Sequence, residues 1–204
     1  MVTKTARASV DMRGSIPFLL HKSGPGTDVQ NIALVGPMGS GKTTVGRVLA
    51  SRLGLEFVDL DQAIEQRCGV EVALIFEIEG EAGFRARERA MLEEIIRRDG
   101  ILLATGGGSV LDPANRALLR KRALVVWLQT SVDQQLKRLA RDQRRPLLKV
   151  ANRRQRLETM AAERDPVYRD CAHLIVRSTD VSPRAMAARL EQTVRSRNMR
   201  EAEQ

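Results

Sequence analysis

The sequence predicts a three-layer α/β/α fold built on a five-stranded parallel sheet. Short apolar stretches recur without polar alternation, which is typical of strands buried on both faces. Each stretch is followed by a longer segment with helical periodicity, and strands that alternate with helices form parallel sheets covered on both sides. The predicted strands occupy residues 32–35, 57–60, 101–105, 123–128 and 173–177.

Glycines mark the predicted helix ends in the first half of the chain. A helix over 42–53 is expected to end at Gly54, because glycine readily adopts the left-handed conformation that closes a helix. After the second strand, two short helices end at Gly69 and Gly80, and a long amphipathic helix then runs to Gly100. Gly80 is therefore expected to separate two helices.

Capping residues mark the predicted helix starts in the second half. Asp112 and Pro113 suit the N-cap and the first position of a helix, and Ser131 suits the N-cap of the next. Pro166 is expected to end the following helix, since proline lacks the amide hydrogen that a helix interior requires. The last helix is expected to begin at residues 182–183, after the final strand.

Composition indicates a single soluble, cytoplasmic domain. The chain has 204 residues, of which 43% are apolar and 29% charged. Its apolar runs are too short for a membrane span or a signal peptide. Cys68 and Cys171 lack metal-ligand spacing, so both are expected to be buried thiols. We expect a disordered extension over 1–30, one monomeric domain over 31–198 and a frayed tail over 199–204.

The positive charge is concentrated in one segment. The net charge is +9, and residues 137–156 contain nine Lys or Arg and one Asp. A dense cluster of this kind suits a compact anion such as a nucleoside triphosphate. Aromatic residues make up only 3% of the chain, which disfavours a stacking platform for nucleic acid. A nucleic-acid-binding module remains a distant alternative.

Residues 36–43, GPMGSGKT, match the phosphate-binding pattern G-x-x-x-x-G-K-[ST] in full. The motif lies between a predicted strand and a predicted helix, as its mechanism requires. Its glycines let successive backbone amides surround an anion at the positive end of the helix dipole. We expect Lys42 to reach the β- and γ-phosphates and Thr43 to ligate Mg²⁺. The predicted ATP-binding residues here are Gly39, Ser40, Gly41, Lys42, Thr43 and Thr44.

Two carboxylates follow the second strand. Asp59 and Asp61 are two residues apart, so on a strand both would point to the same side, at the edge where α/β sheets bind ligands. One of them could hold a water of the Mg²⁺ shell, which we assign to Asp59, and the other a substrate hydroxyl. The simpler alternative is that Asp61 is a helix N-cap.

A third group of residues suggests an anionic substrate. Arg85 and Glu88 are three apart on one predicted helix, where Glu88 could hold Arg85 for bidentate binding of an anion. A solvated ion pair is the alternative. The triple glycine 106–108 closes the third strand and suits close approach of a small ligand, although a flexible loop is also possible.

Two further arginines are candidates in the second half of the chain. Arg145 lies in the basic segment, where a mobile lid could bring it to the transferring phosphoryl group. Arg169 follows the predicted helix end at Pro166 and could contact a substrate from a loop. For each, an exposed surface arginine is the alternative.

Together these motifs resemble the shikimate kinase family, within the P-loop kinases related to nucleoside-monophosphate kinases. The resemblance rests on GPMGSGKTT, DLD, IFEIEGEAGFR, TGGGSV, RRPLL and ERDPVYRD, in this order over about residues 31–178. It implies a P-loop kinase with a helical substrate-binding insertion over about 61–90 and a mobile lid over about 140–152. It also implies ATP and Mg²⁺ as cofactors and shikimate as the phosphoryl acceptor.

The resemblance further implies a role for each site residue. Asp61 would bind the acceptor hydroxyls and act as the base, while Arg85 and Arg169 would hold the carboxylate. Gly107 would meet the acceptor through its backbone, Arg145 would contact ATP and the moving phosphoryl group, and Arg138 would lie near the adenine. Lys42, Asp61 and Arg145 are thus the expected catalytic residues, and Phe76 and Phe84 the expected pocket walls. A gluconate or nucleoside-monophosphate kinase is the nearest alternative.

Overall fold

A single parallel sheet organises the chain. The structure, a computed structural model, describes residues 31–140, 152–178 and 181–202. Five strands pair in the order β2-β3-β1-β4-β5, and every pairing is parallel, as the sequence predicts. The strands are β1 (Ile32–Val35), β2 (Glu56–Asp59), β3 (Ile101–Ala104), β4 (Leu124–Gln129) and β5 (Leu174–Arg177).

Helices cover both faces of the sheet. The α-helices of the described ranges are α1 (Lys42–Leu53), α2 (Leu60–Cys68), α3 (Val72–Ile95), α4 (Pro113–Arg122), α5 (Val132–Leu139), α6 (Arg153–Cys171) and α7 (Pro183–Ala202). A short 3₁₀ turn, Ser109–Leu111, follows the triple glycine. No helix in these ranges has the length and apolar character that a membrane crossing requires.

Alternating strand residues send side chains into two cores. Ile32 and Leu34 of β1 belong to the core beneath α1 and α7, whereas Ala33 and Val35 belong to the core beneath α2, α3, α4 and α6. A smaller third cluster joins Met38 of the phosphate-binding motif to apolar residues of α5 and α6. Because strands β1, β2 and β3 end at the same edge, the motifs that follow them are brought together there.

The helix ends predicted at Gly54, Gly69 and Gly80 are confirmed, whereas the long helix predicted to run to Gly100 ends at Ile95. Gly54 and Gly69 adopt left-handed backbone conformations that close α1 and α2. Gly80 has φ 68° and ψ −175° and interrupts α3, so the segment consists of two helices that meet at this glycine. Asp112 and Ser131 accept hydrogen bonds from first-turn amides as the N-caps of α4 and α5.

Two further predicted helix boundaries are wrong. Helix α6 continues through Pro166 to Cys171, because one missing amide bond is tolerated in a helix packed along its length. Helix α7 continues to Ala202, since its last residues include no Gly or Pro and are mostly good helix formers. The frayed tail predicted over 199–204 stays a prediction. The extension over 1–30 and residues 141–151 of the predicted lid lie outside the described residues.

Candidate active site

The phosphate-binding motif forms a loop that only glycines permit. Gly36, Gly39 and Gly41 have φ of 138°, 73° and 94°, which residues with side chains rarely adopt. A Cβ atom on Gly36 would lie 2.7 Å from the Leu128 carbonyl oxygen. Gly41 is the N-cap of α1 and offers the first-turn amides no side-chain acceptor. The loop therefore presents a helix N-terminus that can bind an anion.

Side chains from within and outside the motif brace this loop. Lys42 Nζ donates to the carbonyl oxygens of Gly36 at 2.8 Å and Pro37 at 3.0 Å, so its ammonium group is held over the loop. Arg138 Nη1 donates to the Gly39 carbonyl at 3.0 Å and to Ser178 Oγ at 2.9 Å. Arg138 thus lies against the phosphate loop, and its stacking on adenine stays a prediction.

A hydroxyl and a carboxylate meet beside the loop. Thr43 Oγ1 donates to Asp59 Oδ2 at 2.7 Å, which joins the start of α1 to the end of β2. Asp59 is also the N-cap of α2, accepting from the Gln62 amide at 3.4 Å. No group of three or more His, Cys, Asp or Glu side chains suited to a metal occurs in the described ranges. Two hard oxygen ligands fit Mg²⁺, which keeps waters and phosphate oxygens in its shell, better than a metal held by protein alone.

Asp61 lies in the first turn of α2 and not on a strand. Strand β2 ends at Asp59, so the prediction that alternation along a strand aligns the two carboxylates is wrong. The N-cap is Asp59, and the alternative that Asp61 serves as the cap is also wrong. The helical turn instead brings Asp61 to the triple glycine 106–108, which we call the glycine loop. A Cβ atom on Gly106 would lie 3.0 Å from Asp61 Oδ1.

Arg85 is held in a fixed position by a buried carboxylate. Its Nη1 donates to Glu88 Oε2 at 2.6 Å, and Glu88 has no exposed surface. Ser109 Oγ donates to the other Glu88 oxygen, and Glu81 adds a second ion pair at 3.0 Å. Burial disfavours the charged guanidinium, but the two carboxylates outweigh it and raise the pKa of Arg85. The alternative of a solvated pair is wrong, because Glu88 is inaccessible to water.

The three consecutive glycines have different surroundings. A Cβ atom on Gly106 would lie 2.7 Å from Glu88 Oε1, and one on Gly108 would lie 2.6 Å from Arg85 Cζ. At Gly107 the nearest atom would be the Met38 backbone nitrogen at 3.5 Å, an ordinary contact. The sequence singled out Gly107, whereas a Cβ atom would displace neighbouring side chains only at the two flanking positions. Gly107 lies directly against the phosphate-binding loop.

Helix α6 presents Arg164 to the site and leaves Arg169 outside. Arg164 is 9% exposed, and its Nη1 lies 3.4 Å from the Gly107 carbonyl oxygen. Its Nε has no hydrogen-bond partner among the residues that the structure describes, and the side chain lines a cleft with Met38 and Tyr168. Arg169 is exposed, with its guanidinium carbon 5.8 Å from the Trp127 ring centroid.

Arg164 was missed because Arg169 was taken as the arginine of ERDPVYRD that holds the carboxylate. One buried stripe of α6 consists of Leu157, Met160, Arg164, Tyr168 and Cys171. Their three- and four-residue spacing is the sequence signal that could have placed Arg164 inward.

Aromatic residues line the far side of this region. The rings of Phe76 and Phe84 lie 4.6 Å apart between centroids, and the Arg85 guanidinium carbon is 5.3 Å from the Phe84 centroid. That Phe76 and Phe84 form walls of the substrate pocket stays a prediction. Arg145 lies outside the described residues, so its catalytic role stays a prediction.

The fold and the two adjoining loops define a P-loop kinase. One loop is built for the phosphates of a nucleotide, and the other adjoins a carboxylate and two arginines suited to a polar anion. A family model described as shikimate kinase matches residues 38–195. The chain belongs to the shikimate kinase family.

Relatives and solved structures agree with this assignment. The shikimate kinase of Halorhodospira halophila is 55% identical over 159 residues, which cover 78% of this chain and 90% of that protein. The shikimate kinase of Vibrio campbellii is 48% identical over 168 residues, covering 82% and 98%. The structure of Acinetobacter baumannii shikimate kinase in complex with shikimate has a TM-score of 0.82 and 46% identity, and the match covers 83% of this chain and 95% of that one.

Proposed function

We propose that this protein transfers the γ-phosphate of ATP to the 3-hydroxyl of shikimate, giving 3-phosphoshikimate and ADP in the chorismate route to aromatic amino acids. The observation that carries the proposal is the contact between the phosphate-binding loop and the glycine loop, where Gly107 lies against Met38. Asp61, Arg85 and Arg164 adjoin the same glycine loop. A donor phosphate and an acceptor hydroxyl would therefore be held side by side, which is the main requirement of phosphoryl transfer.

The nucleotide half of the site neutralises phosphate charge. The first-turn amides of α1 and the Lys42 ammonium group would bind the β- and γ-phosphates. Lys42 is already held over the loop by the Gly36 and Pro37 carbonyl groups, so little ordering remains to be done on binding. Thr43, directly, and Asp59, through water, would hold Mg²⁺, which when bound would neutralise negative charge on the phosphates.

The acceptor half matches a small polyol with a carboxylate. Asp61 would accept a hydrogen bond from the reacting hydroxyl and take its proton as phosphorus is attacked. Arg85 and Arg164 would bind the carboxylate, which supplies the partner that Arg164 Nε lacks within the described residues. A competitor without the carboxylate would leave Arg164 Nε without a partner among the described residues, and this is how the site would discriminate.

A substrate panel tests this function. Purified protein is supplied with ATP and Mg²⁺, and ADP release is followed with shikimate, gluconate or CMP as acceptor. We expect turnover on shikimate that exceeds the others by at least about 100-fold, since an acceptor that does not satisfy Asp61 and both arginines at once leaves buried polar groups poorly paired. Faster turnover on gluconate or CMP would contradict the proposal. Activity that survives EDTA would contradict the role of the metal.

We also propose that the protein acts as a cytoplasmic monomer without a nucleic-acid partner. Light scattering after size-exclusion chromatography checks the oligomeric state. Binding of an oligonucleotide that persists at 0.3 M salt would instead favour the alternative of a nucleic-acid module, because purely electrostatic binding weakens steeply with salt.

A further inference from the structure

Tyr168 connects α6 to the glycine loop from beneath. It is the one tyrosine of the chain and is 1% exposed. Its hydroxyl donates to the Gly107 carbonyl oxygen, and its ring stacks on Trp127 with 5.6 Å between centroids. Burial raises the pKa of this hydroxyl well above its ordinary value, so it remains a donor at neutral pH.

The hydrogen bond to the Gly107 carbonyl group also restrains the next residue, Gly108. A peptide unit is planar, so an anchored Gly107 oxygen also fixes the adjoining amide of Gly108. Gly108 in turn lies directly beneath the Arg85 guanidinium group. Glycines have wide backbone freedom, so a run of three depends on such anchors to keep one conformation.

The Trp127 ring supports this anchor from the sheet. Trp127 is fully buried in β4, and a Cβ atom on Gly36 would lie 3.2 Å from its Cδ1 atom. The stacked pair therefore packs beneath the start of the phosphate-binding loop and beneath the glycine loop. A shift of the Tyr168 ring would be restricted by the close-packed core around it.

We propose that Tyr168 is a positioning residue for the acceptor, holding the Gly107–Gly108 peptide so that the glycine loop and Arg85 keep the geometry that binds shikimate. This inference rests on the proposed function. The competing explanation is a core tyrosine whose hydroxyl is merely satisfied by a convenient carbonyl group. The two differ in one respect, because only a positioning role changes the affinity for the acceptor separately from that for ATP.

The Tyr168→Phe variant removes the hydroxyl and keeps the ring. We expect the KM for shikimate to rise about 5- to 20-fold, the range for loss of one hydrogen bond, because the Gly107 carbonyl would keep only the longer, 3.4 Å bond from Arg164 Nη1. The KM for ATP should stay within about twofold. The matched control is Val194→Ala, which creates a small cavity in the α7 core, away from the glycine loop. Equal changes in both KM values, or no change in either, would overturn the inference.

A second measurement does not depend on the stability of that variant. Growth with 3-fluorotyrosine labels only position 168, because the chain has one tyrosine. We expect saturating shikimate to shift the ¹⁹F resonance of the folded, active protein, and an unmoved resonance would overturn the inference. A labelled protein that phosphorylates shikimate without a shift refutes the positioning role alone. A wild-type protein that neither binds nor phosphorylates shikimate refutes the proposed function as well.

Discussion

Replacing either the buried Arg164 or the exposed Arg169 of α6 tests which guanidinium group binds the acceptor carboxylate. The perturbations are Arg164→Met and Arg169→Met, made separately. Methionine keeps much of the side-chain length and apolar packing while it removes the charge and all donors. The two positions lie five residues apart on one helix, so each variant serves as the control for the other.

The expected change in the shikimate KM follows from the burial and pairing of the two arginine side chains. Arg164 is 9% exposed, so a bond to a carboxylate there is charge-assisted and poorly screened. Loss of such a bond costs about 1.5–3 kcal/mol, which corresponds to a rise in the shikimate KM of about 10- to 150-fold. The exposed Arg169 lies 5.8 Å from the Trp127 ring centroid. Loss of this contact should cost less than about 1 kcal/mol of stability and leave the shikimate KM within about twofold of wild type.

Both variants are assayed by coupled ADP detection with either substrate varied. The ATP KM should change little for Arg164→Met, and thermal unfolding should confirm that both proteins fold. Because Arg164 Nε is unpaired among the described residues, removing the charge should not greatly lower the unfolding temperature. A larger shikimate KM for Arg169→Met than for Arg164→Met would refute the reasoning.

Two further predictions concern the glycine loop and the alkaline limit of stability. Gly106→Ala should reduce kcat/KM for shikimate at least about tenfold, because its Cβ atom would displace the carboxylates of Glu88 and Asp61. The control variant Gly107→Ala should fold normally. Equal stability and activity in the two variants would contradict the packing argument. Burial raises the pKa of Cys171 to about 11 from 9.0, so its contribution to stability is complete below pH 9 and is lost as the pH rises through 11. Denaturant titrations should show an extra loss of about 1–3 kcal/mol over this range in wild type relative to Cys171→Ala, and parallel curves would refute it.

The most local features of the protein were predictable from sequence. The strand, loop and helix start of the phosphate-binding motif depend on consecutive residues, and the five parallel strands were predictable from apolar runs that alternate with helices. Thr43 and Asp59 could be paired because strands β1 and β2 end at the same edge of the sheet. The Gly80 break was predictable for the same reason, since a left-handed backbone conformation is a property of one residue.

The direction of Arg164 was decided only by tertiary structure. Its side chain lies on the buried stripe of α6, one turn before Tyr168, which stacks on Trp127 of another element. The need for glycine at position 106 likewise arises from Glu88 and Asp61, which lie elsewhere in the sequence. Backbone conformation can be set by neighbouring residues, but the space beside a residue is set by whatever the fold brings there. The sequence by itself therefore determined the phosphate-binding half of this protein, and the tertiary structure determined which side chains complete the acceptor half.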